Sequence, residues 1–152
     1  MRRVLVRVVV VALAVLAAAQ LVPYGWWHEN PPVTRAAVFP SAEAEALARG
    51  ACMDCHSNET DWPAYSYVAP MSWLVRRDVE DGREVLNLSE LDREQEADLD
   101  DAADEVADGS MPPRQYQLAH ADARLSDEER RVLVEAFEAM EDQADGSRRG
   151  RG

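Results

Sequence analysis

The sequence predicts an all-α protein, in which one small helical domain follows an N-terminal helix of a different kind. Apolar residues recur at helical spacing, as in Leu99, Ala102, Ala103 and Val106, and the segments around them lack the alternation of strands. Glycines and prolines fall between the helical segments, where turns are expected. The first 22 residues differ from the rest of the chain, because they contain a long apolar run and three arginines but no acidic residue. We therefore expect a signal or anchor segment at 1–22, a Pro-rich linker at 23–40, the helical domain at 41–143 and a disordered Gly/Arg tail at 144–152.

The N-terminal segment has the pattern of an export signal or a membrane anchor. Arg2 and Arg3 precede an apolar run that extends to Val22, with Arg7 inside it. We expect residues 4–22 to form an uncleaved membrane helix that holds the domain on the exported side of the cytoplasmic membrane. The alternative is cleavage near Ala19, which would give a soluble periplasmic or extracellular protein.

The net charge limits the classes of partner that the protein is expected to bind. Sixteen arginines and no lysine stand against 29 acidic residues, which gives −13. Three of the arginines lie in the first 22 residues, so 13 against 29 leaves −16 for the remainder. The negative electrostatic field of such a surface disfavours nucleic-acid binding. A basic partner is possible, but acids spread over several helices favour an acid-rich solvated surface.

Four prolines in residues 23–40 favour an extended spacer, in which we expect His28 to be solvated. Ser41 is then a plausible N-cap for a helix that runs to Gly50. A second helix is expected from Pro70 to about Asp81, with Gly82 ending it.

The segment Cys52-Met53-Asp54-Cys55-His56 is the strongest motif in the chain. C-x-x-C-H is the attachment signature of c-type haem: two thiols form thioethers with the vinyl groups, and His56 provides the proximal iron ligand. The protein has two cysteines, and the motif uses both. A disulfide, a redox dithiol and half of a zinc site are the competing interpretations. The other histidines, His28 and His120, do not pair with a second Cys or His in the sequence.

The residues after the motif include candidates for the wall of a cofactor pocket and for the sixth ligand of a haem iron. Four aromatic residues, at 62, 65, 67 and 73, are placed to border a flat apolar cofactor. Met111 lies in a rigid Gly-Ser-Met-Pro-Pro loop and is the predicted sixth ligand, because Pro-Pro restricts the loop and a late Met follows an early His. His120 and Met71 are its rivals.

Two further helices are predicted. Residues 92–108 have apolar residues on one face and acids on the other, so a solvated amphipathic helix is expected there, ending at Gly109. Ser126 and Glu129 form the capping box of the last helix.

Several segments resemble the haem-binding domain family of exported, single-haem, cytochrome-c-like proteins. The resemblance covers roughly residues 30–140. Its motifs are Asn30-Pro31-Pro32-Val33, the stretch from Cys52 to Thr60, Trp62-Pro63, Tyr65-Ser66, Val68-Ala69-Pro70, Ser72-Trp73-Leu74-Val75, Leu86 to Glu90, Gly109 to Pro113, and then Tyr116, His120, Ala123 to Ser126, and Glu128-Glu129. Arg114 and Leu91 depart from it, standing where an aromatic and a Trp are common. The resemblance implies a cytochrome-c-like helical fold that binds haem.

The motif and the export pattern together predict a protein with one covalent haem c that transfers single electrons outside the cytoplasm to an unidentified redox partner protein. The alternative is a haem-based sensor or ligand-binding module with an exchangeable sixth site. An enzyme such as a peroxidase is less favoured, because no distal acid/base pair is evident in the sequence.

Overall fold

The computed structural model describes residues 1–149 of the chain. Within that range the fold is all-helical, as predicted, and only an isolated bridge pairs Arg35 with Glu90. The α-helices are α1 (Arg2–Ala19), α2 (Ala42–Ala51), α3 (Met53–His56), α4 (Met71–Val85), α5 (Leu99–Ala107), α6 (Arg114–Ala119) and α7 (Asp127–Arg149). Short 3₁₀ turns lie at Ala64–Tyr67 and Ala121–Ala123.

The N-terminal helix α1 buries none of its residues. Among the described residues, no helix is long and apolar enough to cross a membrane. The prediction of a spanning anchor over residues 4–22 is therefore not supported. The 18 residues of α1 rise about 27 Å against a hydrocarbon core of about 30 Å, and three arginines lie among them.

The core forms where α5 and α2 pack against α7. From α7, Leu133 and Phe137 are almost fully buried. The remaining members of the buried cluster are Ala48, Met53, Leu86, Leu88, Leu99, Ala103, Val106 and Met140. This cluster joins the start of the Cys-rich motif to the C-terminal helix, so burial of apolar surface fixes the position of the motif.

Capping explains where several helices begin. The backbone N–H of Ala44 donates to Ser41 Oγ over 3.0 Å, which confirms the predicted N-cap of α2. The N–H of Ser126 donates to a Glu129 carboxylate oxygen over 2.8 Å, and Glu129 N–H donates back to Ser126 Oγ over 3.3 Å, as the predicted capping box requires.

The end of the second predicted helix and the start of the acidic helix differ from the sequence expectation. The prediction that Gly82 ends the second helix is wrong, because α4 continues to Val85 and buries Gly82 in its interior. The acidic helix begins at Leu99 instead of near residue 92, because a capping box between Asp98 and Asp101 starts it there. Gly109, with φ of +74°, follows its end.

The segment 23–40 is not a free spacer. The N–H groups of Thr34 and Arg35 donate to the carbonyl of Ser89, each over 3.1 Å, and Ala37 N–H donates to the Leu88 carbonyl over 2.7 Å. His28 is not the solvated residue expected: its Nε2 hydrogen-bonds to the Ser66 carbonyl over 2.9 Å. The segment therefore packs along the domain.

The C-terminal tail also differs from the prediction. Helix α7 continues to Arg149, through residues 144–149 of the predicted disordered tail. Arg149 pairs with Asp145 at 3.8 Å, one turn away, which supports the helix there. Residues 150–152 of that tail lie outside the described residues.

Candidate haem site

The motif lies at the junction of α2 and α3. Cys52 ends α2, with its N–H donating to the Ala48 carbonyl over 2.8 Å, and its own carbonyl accepts from His56 N–H over 2.9 Å. One turn therefore brings both cysteines and His56 together, as the sequence predicted. Both thiols are unpaired and partly exposed, so neither is used in a disulfide. In the described part of the chain, no three or more His, Cys, Asp and Glu side chains group as a metal site would, so the zinc interpretation gains no support.

The imidazole of His56 is held by an extended segment 30 residues further along the chain. Its Nδ1 lies 3.0 Å from the Leu86 carbonyl oxygen, and Leu88 N–H donates to the His56 carbonyl over 2.7 Å. Since a carbonyl only accepts, Nδ1 must carry the proton, which leaves the lone pair of Nε2 for a metal. Burial lowers the pKa of His56, so the neutral imidazole that iron requires is favoured.

A buried network of amides and hydroxyls fixes that segment. Asn87 donates its side-chain N–H to Asn58 Oδ1 over 2.8 Å, and Ser89 N–H donates to Asn87 Oδ1 over 2.9 Å. The backbone N–H of Asn58 donates to Ser89 Oγ over 3.0 Å, which closes the network. All three residues are buried. The sequence showed this stretch only as part of a resemblance, and its orienting role toward His56 was missed, because no local pattern connects Asn58 to Asn87.

Helix α4 packs tightly on α3. A Cβ added at Gly82 would lie 2.6 Å from the carbonyl oxygen of Cys55, so this crossing requires glycine. One residue on, the Arg83 guanidinium donates to the Ser57 carbonyl over 2.8 Å, to Thr60 Oγ1 over 2.8 Å and to Asn30 Oδ1 over 3.0 Å. Arg83 thereby joins the loop after the motif to the segment before α2.

A cavity of about 170 Å³ opens beside Cys55. Helix α4 forms one wall, and α6 with its C-cap forms another. The residues that border it are Asp54, Cys55, Thr60, Asp61, Pro63, Tyr65, Met71, Leu74, Val75, Asp78, Val79, Gln115, Tyr116, Ala119 and His120. Most of its surface is apolar, which suits the face of a macrocycle.

Of the four aromatic residues expected to border a cofactor, Tyr65 lines this cavity. Trp62 and Tyr67 instead pack on the His28 ring, with centroids at 4.6 Å and 4.0 Å. Trp73 borders a separate shallow groove next to Tyr24.

The three candidate sixth ligands fall in two places. Met71 and His120 line the cavity beside Cys55. Met111 packs, together with Cys52, against the buried core cluster, and the cavity wall does not include it. The ligand role of Met111 therefore stays a prediction.

The protein environment disfavours the thiolate form of both cysteines. Burial raises the pKa of Cys52 to about 12, with the neighbouring Cys55 adding to the rise. Burial also raises the pKa of Cys55 to about 12, and the carboxylates of Asp78 and Asp54 raise it further. Both sulfurs are therefore protonated at neutral pH in the haem-free fold.

The donor set of the motif fits a covalently held haem, and of its three donor residues Cys55 borders the cavity while Cys52 and His56 do not. Two unpaired thiols three positions apart, an imidazole whose Nε2 lone pair is free and an apolar cavity wall beside Cys55 are the groups that such a cofactor requires.

Comparison with known proteins agrees with this geometry. Cytochrome c peroxidase Ccp of Escherichia coli (strain K12) is 28% identical to the chain over 124 residues, which is 73% of this chain and 27% of that protein. The chain thus spans about a quarter of the length of this curated relative. No solved structure matches. Residues 14–139 match the family described as "Haem-binding domain". The chain belongs to the haem-binding domain family.

Proposed function

We propose that the chain carries one covalent haem c and transfers single electrons. The observation that carries this proposal is the pair of unpaired thiols, Cys52 and Cys55, directly before an imidazole whose Nδ1 is held by the Leu86 carbonyl. When bound, the haem supplies an iron centre that cycles between two oxidation states one electron apart.

The residues of the chain have separate tasks in this proposal. Cys52 and Cys55 would hold the porphyrin edge, and His56 would offer Nε2 to the iron. The hydrogen bond from Nδ1 to the Leu86 carbonyl fixes the ring plane and makes the imidazole a stronger donor. The Asn58–Asn87–Ser89 network holds Leu86 in place. A ligand that keeps one orientation in both oxidation states favours electron transfer.

Met111 is the proposed sixth ligand. Its loop is held on both sides: Met111 N–H donates to the Glu105 carbonyl over 3.0 Å, and the Gln117 side chain donates to the Pro112 carbonyl over 2.6 Å. A thioether in this position would raise the reduction potential relative to a second imidazole.

The second candidate function is a haem-based sensor or ligand-binding module. The wall of the cavity beside Cys55 favours it, because that wall does not include Met111, and a sixth site without that thioether is open to an external ligand. The name of the peroxidase relative does not extend this to catalysis, since the match covers 27% of that protein.

The proposed location is the exported side of the cytoplasmic membrane. The basic start and apolar sequence of α1 support it as an export signal or a membrane attachment. The redox partner is a protein still to be identified, and the net charge of −13 disfavours nucleic acid.

Replacement of Met111 tests the ligand set and separates the two functions. The oxidised protein should show the weak long-wavelength band of sulfur-to-iron charge transfer. Met111→Ala should abolish that band, lower the potential and let carbon monoxide bind the reduced protein, because the sixth site opens.

Met71→Ala is the matched control and should keep the band. Unmodified protein that binds carbon monoxide rapidly supports the sensor instead of the electron carrier. If the band survives in Met111→Ala and disappears in Met71→Ala, the ligand is the cavity methionine.

A further inference from the structure

We propose that Tyr65 is a positioning residue that holds His120 away from the haem iron and so leaves the sixth coordination site to Met111. The inference rests on the proposed function, because it requires an iron held by His56. His120 needs such restraint, since it lines the same cavity as Cys55 and imidazole is a common iron ligand.

The hydroxyl of Tyr65 hydrogen-bonds to the ring nitrogen of His120 that would otherwise bind iron. It lies 2.6 Å from Nε2, which is well within hydrogen-bond distance. In one tautomer Nε2 accepts the hydroxyl proton, and in the other Nε2 donates its own proton to the hydroxyl oxygen. In both cases Nε2 has no free lone pair for a metal. Nε2 is the ring nitrogen farther from the main chain and can therefore reach a metal at the greater distance. The contact with Tyr65 prevents coordination through this nitrogen.

The ring of His120 is also held from its face. Tyr116 stacks on it, with ring centroids 4.1 Å apart and planes 12° apart. The Tyr116 hydroxyl donates to Asp54 Oδ2 over 2.7 Å. Asp54 lies between the two cysteines, so a chain of contacts from Asp54 through Tyr116 and His120 to Tyr65 is fixed to the motif at one end.

These contacts join residues far apart in sequence. Tyr65 and His120 are 55 positions apart, and Tyr116 and Asp54 are 62 apart. Movement of His120 to the iron would break the hydrogen bond and disrupt the stacking. Removal of the Tyr65 hydroxyl alone releases Nε2 while the aromatic ring, and with it the packing of the cavity, is kept.

The experiment uses the haem-loaded full chain with Tyr65→Phe. We expect the sulfur-to-iron charge-transfer band to weaken or disappear and the potential to fall, because released His120 replaces the thioether and imidazole favours ferric iron. The double variant Tyr65→Phe/His120→Ala should restore the band and the potential. Tyr67→Phe is the matched control: Tyr67 lies in the same 3₁₀ turn, is 61% exposed and packs on His28, so this variant should match the unmodified protein.

Equal spectra and potentials for Tyr65→Phe and Tyr67→Phe would overturn the inference. So would a change in Tyr65→Phe that His120→Ala does not reverse, or an unmodified protein in which His120→Ala opens the sixth site. Each of these results leaves covalent haem and electron transfer intact. Unmodified protein from which acid-acetone extracts the haem overturns the proposed function and this inference together, so the extraction distinguishes the two failures.

Discussion

At the scale of single residues, burial and neighbouring acidic groups keep the thiols of Cys52 and Cys55 in their protonated, less reactive form. A thiol reacts through its thiolate, and a pKa of about 12 leaves little thiolate near neutral pH. The folded, haem-free chain should therefore react with iodoacetamide at pH 8 slower than the urea-unfolded chain by about two to three orders of magnitude. Mass spectrometry of timed samples measures both rates.

The thiolate fraction of a cysteine rises with pH until about one to two units above its pKa. The rate in the folded chain should therefore keep rising above about pH 10, where the unfolded chain, with a thiol pKa of about 8.5, has levelled off. Equal rates for folded and unfolded chains would contradict the protected environment.

The sequence is sufficient to predict the arrangement of those site residues whose partners are close along the chain. The two thiols and His56 are set by one turn, so their juxtaposition follows from their spacing. The partner of His56 Nδ1 is Leu86, 30 residues away, and the partner of His120 Nε2 is Tyr65. No periodicity encodes such contacts, and only the folded chain brings them together.

At the scale of elements, the contact between α3 and α4 depends on one glycine. In Gly82→Ala the new methyl group would lie 2.6 Å from the Cys55 carbonyl oxygen, so α4 must move away from the motif. We expect a loss of about 1–3 kcal/mol in the free energy of unfolding and a lower yield of attached haem. Urea unfolding and the haem-to-protein absorbance ratio measure these effects.

Gly146→Ala in α7 is the matched control, because nothing lies within 4 Å of its added Cβ. It should stabilise the chain slightly, by up to about 1 kcal/mol, since alanine is the better helix former. If Gly82→Ala is as well tolerated as Gly146→Ala, the close approach of α4 to the motif is not required.

The segment between α1 and α2 shows why composition alone led to the wrong prediction of a free spacer. Its four prolines correctly excluded a helix, but they do not determine whether an extended chain is free or packed. The backbone of Ser89 and Leu88 supplies acceptors for this segment, and Arg83 donates to the Glu29 carbonyl over 3.0 Å. These bonds turn the predicted spacer into part of the domain surface. The helices with clear caps, α2 and α7, were predictable because their signals are local.

At the scale of the whole molecule, the basic start of α1 and the haem motif point to the same compartment, because covalent attachment takes place on the exported side. The domain should be digested by protease added to intact spheroplasts, while a cytoplasmic marker survives. Replacement of Arg2 and Arg3 by Glu should reduce both export and haem content, since the basic residues orient the segment. Haem-free protein that stays in the cytoplasm would contradict the proposed location.

The central claim is that Cys52 and Cys55 hold one haem covalently beside His56. Its most direct test is the intact mass of the denatured protein after acid-acetone extraction, with production alongside haem-attachment machinery. The unmodified chain should keep the mass of one haem, single Cys→Ala variants should retain it less well, and Cys52→Ala/Cys55→Ala should retain none. Extraction of the haem from the unmodified chain as freely as from the double variant would contradict the account.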